Sequence, residues 1–192
     1  SISVYGDRKD VPFKETDNVS NPISPYAATK VSTELMAHTY HHLHGLNVNI
    51  IRPFTLFGPR GRPDMAPFLF SRWINDGTPI KKFGDGSTMR DYTYIDDFVS
   101  GFINAIDRSL GYEIFNFGNS NPISLNEFIE TIESVVGKKA LINQMEMQPG
   151  DVSLTYADIS KAKKMLDYEP TVSLRDGMVK FWDWYRKFNG LD

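Results

Sequence analysis

Apolar and polar positions alternate along this chain in short β-type and longer helical stretches. Ser1 to Gly6 reads as the end of a buried strand running into a loop, and residues 7–23 are polar and rich in turn formers. Ser24-Pro25 predicts a helix start, with serine as N-cap and proline in the first turn. The helix runs to about His44 and stops at Gly45. Val48 to Arg52 is a β-branched run ended by Pro53, a buried strand. Residues 54–66 hold several glycines and prolines and read as a loop, followed by a helix over Pro67 to Asn75. Short strands are expected at Ile80 to Phe83 and Asp91 to Ile95, around the Gly84-Asp85-Gly86 turn. A helix over Phe98 to Ser109 and a strand over Glu113 to Phe117 come next. Ser124 N-caps a helix through Val136, with Glu127 placed for a capping box. Asn143 to Asp151 reads as extended, and helices close the chain at Ser160 to Leu166 and Leu174 to Phe188. Strands alternating with helices predict an α/β fold.

Composition narrows the picture. The 192 residues are 41% hydrophobic and 23% charged, enough for a globular core. The 21 basic and 24 acidic residues form no like-charged run, so neither nucleic acid nor a membrane is an expected partner. No apolar stretch approaches the roughly 18 residues of a membrane span, and the opening residues do not read as a signal peptide. There is no cysteine, which removes disulfides and cysteine nucleophiles and makes a reducing cytoplasm the expected location.

The chemistry concentrates in the first helix. Tyr26 and Lys30 stand four residues apart, on one helix face. A phenol, with an ordinary pKa near 10, is a poor base at neutral pH, and a neighbouring ammonium favours its ionised form. The pair therefore suits acid/base work. Alone the motif is weak, since an aromatic core residue beside a solvated lysine gives the same pattern. Ser1 stands 25 residues upstream at an expected strand end, where its hydroxyl could bond the substrate oxygen that Tyr26 deprotonates.

Ser-x-Ser-Val-Tyr-Gly-Asp and Ser-Pro-Tyr-x-x-x-Lys resemble the extended short-chain dehydrogenase/reductase family. So do Arg52-Pro-Phe, the run from Gly84 through Arg90-Asp-Tyr-Thr-Tyr-Ile-Asp-Asp, Asn116-Phe-Gly, Gln148-Pro-Gly-Asp151 and Tyr156-Ala-Asp-Ile-Ser-Lys-Ala. The likeness covers essentially the whole chain. It implies the C-terminal part of an extended Rossmann-type epimerase, a partial parallel sheet with helices, plus a smaller α/β substrate-binding domain. By that likeness residues 1–60 are the remaining part of a Rossmann domain carrying the Tyr/Lys helix. Residues 61–192 are mainly a UDP-sugar-binding domain, interleaved with late Rossmann strands. The resemblance assigns Ser1, Tyr26 and Lys30 to catalysis and gives Lys30 the nicotinamide ribose of NAD. Pro53 would lie against the nicotinamide.

The loop after Pro53 is the most informative. Thr55-Leu-Phe-Gly-Pro-Arg-Gly-Arg62-Pro-Asp-Met-Ala resembles UDP-glucuronate 4-epimerases, in which Thr55 and Arg62 would hold the sugar carboxylate. Oxidation at C4 makes a β-keto acid, which loses carbon dioxide readily. A guanidinium fork and a hydroxyl can fix the carboxylate out of the alignment that loss requires. The alternative for Arg62 is a loop arginine in solvent. Dehydratases of this kind resemble Thr-Asp-Glu-Val-Tyr-Gly at the first motif; here Ile2 and Ser3 precede Val4, so no carboxylic acid can protonate a leaving hydroxyl. Many epimerases carry serine where Ile2 stands, a departure that removes a polar contact. Arg90 by resemblance binds the diphosphate and Asp151 the uridine ribose, while Phe83 would lie along the uracil unless it is simply core. Gln148 stands where galactose-type epimerases have arginine. His38, His41, His42 and His44 read as helix surface.

A Gly-x-x-Gly-x-x-Gly turn for the NAD pyrophosphate is absent from these 192 residues. The expectation is a longer, homodimeric, NAD-dependent UDP-glucuronate 4-epimerase, with this stretch inactive alone. The dimer would use the apolar face of the first helix, Leu35, Met36 and Leu43, although core packing explains that face equally well. A UDP-glucose/galactose-type or other UDP-hexose epimerase is the alternative enzyme, and a UDP-sugar-binding or assembly module the alternative outside enzymology.

Overall fold

A computed structural model describes residues 1–147 and 152–191. Ile2–Tyr5 form a 3-10 turn, not the expected strand end. The reason is local: Ser1 Oγ accepts from the Ser3 amide at 3.4 Å, and the Val4 amide reaches Ser1 O at 3.2 Å. Those bonds compete with a ladder for the same backbone groups. Val4 and Tyr5 are nonetheless buried.

The first helix, α1, spans Pro25–His44. Ser24 Oγ accepts from the Ala27 amide at 3.1 Å, and Gly45 ends the helix with a left-handed φ of 65° that a side chain would disfavour. Strand β1 (Val48–Pro53) follows, then β2 (Thr55–Phe57), α2 (Ala66–Asp76), β3 (Ile80–Phe83) and β4 (Met89–Tyr94). Next come α3 (Ile95–Asp107), β5 (Tyr112–Phe117), β6 (Pro122–Ser124), α4 (Leu125–Val136) and β7 (Ile142–Met145). Strand β8 (Leu154–Thr155) and helices α5 (Ser160–Leu166) and α6 (Leu174–Asn189) complete the chain. Ser124 Oγ caps α4 through the Glu127 amide at 3.1 Å.

Among the described residues three sheets result. β1 and β5 pair in parallel, from Val48 with Tyr112 to Pro53 with Phe117. β4 is the centre of a second sheet, parallel to β2 and to β8 and antiparallel to β6. β3 and β7 pair in parallel. Three of these strands, β2, β6 and β8, were not expected. β2 lies in the stretch read as a loop, and its partner Tyr92 is far along the chain. β6 begins with proline, tolerated there because the strand lies at a sheet edge.

Among the described residues two apolar cores form. One gathers Val4, Tyr5, Phe54, Phe115, Phe117 and Leu166; the other gathers Phe57, Tyr92, Tyr94, Phe128, Met178 and Phe181. Phe117 stacks on Tyr168 in the first (4.4 Å), and Tyr92 on Phe128 in the second (4.5 Å). The chain passes from one core to the other between Phe54 and Phe57. Gly177 lets α6 close on the second core: a Cβ there would lie 2.6 Å from the Phe57 ring and 2.7 Å from the Tyr94 ring. Gly177→Ala is therefore expected to lower stability by about 1–3 kcal/mol, despite its gain in helix propensity. Chemical denaturation of the two proteins checks this; an unchanged midpoint would show that the rings give way freely.

Among the described residues no helix is long and apolar enough to cross a membrane, and no group of histidine and acidic residues could hold a metal ion. His38, His42 and His44 are exposed, as expected. Leu35, Met36 and Leu43 are exposed too, so core packing does not explain them.

Candidate active site

Tyr26 enters from the first turn of α1, fixed there by the Ser24 cap and the Pro25 ring. Its ring is 57% exposed, unusual for an aromatic at the edge of a core, because it faces open space. Lys30, one turn on, puts its ammonium 5.1 Å from the centroid of that ring. The space in front of Tyr26 is a cleft of about 570 Å³. Ser1, Pro53, Thr55 and Arg62 line it together with Tyr26. Five residues singled out in sequence, from four separate segments, thus share one cavity. Ile2 and Ile95 add apolar wall. Gly58 seats the loop that carries Arg62: its φ of 145° suits glycine, and a Cβ would meet Ile95 at 2.6 Å.

A second cleft of about 290 Å³ adjoins the first and shares Ile2 and Thr55 with it. Arg90, half-buried on β4, lines it with Ser3 and Thr155. An arginine in this position suits an anion such as a diphosphate. Beside it Asp91 is 1% exposed. One carboxylate oxygen accepts from the Asn119 amide at 2.7 Å, the other from the Ser120 and Ala157 amides, each at 3.0 Å. Burial pushes the Asp91 carboxyl up against the pull of these three donors. The carboxylate ties the turn after β5 and the segment before α5 to the strand that presents Arg90.

Phe83 is not brought to either cleft. It sits half-buried at the end of β3, opposite Met145 of β7. Asp151 and Gln148 lie outside the described residues.

Sequence reasoning missed three features. Asp64 takes the Arg62 guanidinium in a two-bond ion pair, Nε to Oδ1 at 3.1 Å and the second terminal nitrogen to Oδ2. Their spacing of two in a turn is the only signal for it. Both groups are exposed, the Arg62 side chain 75% so, and such a pair contributes little to stability. Ser3 donates to or accepts from Ser1 Oγ at 3.0 Å, steadying that hydroxyl. The third is a buried polar network behind the cleft. Arg52, 1% exposed, pairs through Nε and one terminal nitrogen with both Glu34 oxygens (2.9 and 2.7 Å), and its other terminal nitrogen donates to Tyr5 Oη at 3.0 Å. Tyr5 in turn donates to Asn116 Oδ1 at 2.6 Å. Burial pushes the Tyr5 phenol up to about 12, keeping it a donor. Burial also opposes the Arg52 charge, but Glu34 and Tyr5 more than compensate and strengthen its hold on the proton. An arginine within an apolar strand signals such a partner, though not which one.

Comparison with known proteins identifies the family. The sequence profile of the family described as GDP-mannose 4,6 dehydratase matches residues 1–181. A UDP-glucuronate 4-epimerase of Thermodesulfobacterium geofontis is 48% identical over 186 residues, 96% of this chain and 57% of the relative. The crystal structure of the Bacillus cereus UDP-glucuronic acid 4-epimerase, in complex with UDP-glucuronic acid and NAD, superposes with a TM-score of 0.87. It is 38% identical, across 97% of this chain and 59% of that one. The Thermotoga maritima UDP-glucose 4-epimerase with UDP-glucose gives a TM-score of 0.85 at 29% identity, covering 95% and 60%. The chain spans less than two thirds of the length of these relatives.

Proposed function

We propose, for a chain that belongs to the NAD-dependent epimerase/dehydratase family matched by the GDP-mannose 4,6 dehydratase profile, that the full-length protein interconverts UDP-glucuronate and UDP-galacturonate through a 4-keto intermediate. The observation that carries this reading is the shared cleft: Tyr26, with the Lys30 ammonium against its ring, lines one cavity with Thr55 and Arg62.

Tyr26 takes the proton from the sugar O4, while Ser1 hydrogen-bonds the same oxygen. Bound NAD would supply the hydride acceptor, and later the hydride donor, for C4. The cleft suits the nicotinamide end of that cofactor, since Pro53 offers an apolar face beside the exposed Tyr26 ring. Lys30 is placed for the adjoining ribose hydroxyls. Inversion needs the hydrogen returned to the opposite face of the ring. The sugar must therefore turn about its link to a fixed diphosphate, which Arg90 in the adjoining cleft supplies the charge to hold. Tyr26 then gives the proton back to O4. Residues 1–60 act in this reading as the Rossmann part and 61–192 as mainly the sugar-nucleotide part.

Ile2 and Ser3 argue against dehydration despite the family's description, because neither can protonate a leaving hydroxyl. Thr55 and Arg62 argue for a uronate, whose carboxylate they would restrain against decarboxylation. A homodimer through the exposed stripe of Leu35, Met36 and Leu43, in a cytoplasmic protein, completes the reading.

One observation favours a second reading: Asp64 already occupies the Arg62 fork, as it would in an epimerase of neutral UDP-hexoses. Arg62→Ala separates the two. With a uronate substrate, kcat/KM for UDP-glucuronate should fall by about 10–200-fold, the value of a charge-assisted hydrogen bond. That for UDP-glucose should move by less than about 3-fold. Equal losses on both sugars would support the neutral-hexose enzyme.

A further inference from the structure

We infer that Arg52 is a positioning residue for the Tyr26/Lys30 pair, because it withholds from Lys30 the acidic partner that the helix itself provides. This rests on the reading of Tyr26 and Lys30 as the reacting pair. Glu34 follows Lys30 by four residues on α1, so the two side chains rise on one helix face within reach of an ion pair. That pair would draw the ammonium away from Tyr26, toward the helix interior. It does not form. Arg52 reaches from β1 and takes both Glu34 oxygens in a fork, and the Lys30 ammonium stays at the Tyr26 ring.

The guanidinium is held from several sides. Besides Glu34 it donates to Tyr5 Oη and lies 5.0 Å from that ring, and it reaches Glu15 O at 3.4 Å. Tyr5 is fixed in turn by Asn116 of β5, the parallel neighbour of β1. A lysine could not do this, since a point charge grips one carboxylate oxygen at a time. Holding α1 on β1 does not by itself require an arginine. Apolar side chains of similar volume often replace a buried ion pair with no loss of stability. What apolar packing cannot do is neutralise Glu34 while leaving Lys30 free. Arg52 also immediately precedes Pro53, so the same residue registers the catalytic helix against the strand end that lines the cleft.

The test compares Arg52→Met, Arg52→Lys, the double variant Arg52→Met with Glu34→Gln, and Tyr26→Phe in the full-length protein. The readouts are kcat, KM and melting temperature on UDP-glucuronate and UDP-glucose. In Arg52→Met the freed Glu34 captures Lys30, and kcat falls by on the order of 100-fold with KM nearly unchanged. In the double variant no carboxylate competes for Lys30, and kcat returns to within about 3-fold of wild type, even though a buried amide keeps the melting temperature low. Arg52→Lys, the milder change should Arg52→Met fail to fold, gives an intermediate kcat. A double variant as slow as Arg52→Met, an Arg52→Lys with wild-type kcat, or a kcat that follows melting temperature across the set would each overturn the proposal. Wild-type turnover by Tyr26→Phe on both sugars would instead overturn the reading on which it rests.

Discussion

Tyr26→Phe is expected to lower kcat by about 10²–10⁴-fold while leaving the dissociation constant for the sugar nucleotide within about 2-fold of wild type. The substitution removes one oxygen and keeps the ring, which already faces the cleft and carries the Lys30 ammonium against it. In the proposed reading, binding energy comes from other groups: Arg90 on the diphosphate, Thr55 and Arg62 on the sugar. An interaction made only while the proton moves shows itself in kcat and not in affinity. Stopped-flow or steady-state turnover, paired with calorimetric titration of UDP-glucuronate, resolves the two quantities. A loss in affinity matching the loss in kcat would mean that Tyr26 serves to bind and some other group is the base.

The second large effect is structural. Asp91→Ala should destabilise the protein by about 2–4 kcal/mol. It leaves the amides of Asn119, Ser120 and Ala157 without their acceptor, and each unpaired buried donor costs about 1–3 kcal/mol. Part of that loss is offset because a buried charge is no longer desolvated. Asp91→Asn should fall between, since its amide oxygen can still accept while its NH₂ meets a donor head-on. Denaturant unfolding at neutral pH measures both. Affinity for UDP should drop alongside in the alanine variant, because the strand that Asp91 anchors also presents Arg90. Full stability in Asp91→Ala would show that water satisfies those amides and that the carboxylate is not the tie described here.

Legibility in the sequence followed the range of the forces involved. Helix α1 was readable to the residue because Ser24, Pro25 and Gly45 act within one turn of themselves. Helix α5 and strand β3 also fall at their expected bounds. The Ser1–Gly6 segment misled because its apolar residues suit a strand, while the Ser1 hydroxyl and carbonyl close a 3-10 turn. Strand β2 was hidden between Pro53 and Gly58-Pro59; only the β4 ladder makes Thr55–Phe57 a strand. For the site, motif resemblance picked out Ser1, Tyr26, Pro53, Thr55 and Arg62, and folding brings all five to one cavity. Nothing local could pair Arg52 with Glu34, 18 residues back on another element, or Asp91 with amides from two later segments. For Phe83 the sequence left two readings, uracil contact or core, because aromatics serve both purposes; it pairs with Met145 at the end of β3.

The passage of the chain from one core to the other has a consequence for how damage spreads. Phe54 belongs to the first core and Phe57 to the second, and Thr55, between them, lines both clefts. The site is thus a seam rather than a possession of either half. Each core could retain much of its own order after the other loosens, yet the cavity would be gone, because its two walls have separate foundations. The proposed activity would accordingly be a logical conjunction of two cores. Substitutions far from any reacting atom, on either side of the seam, should weigh on function more heavily than on secondary structure.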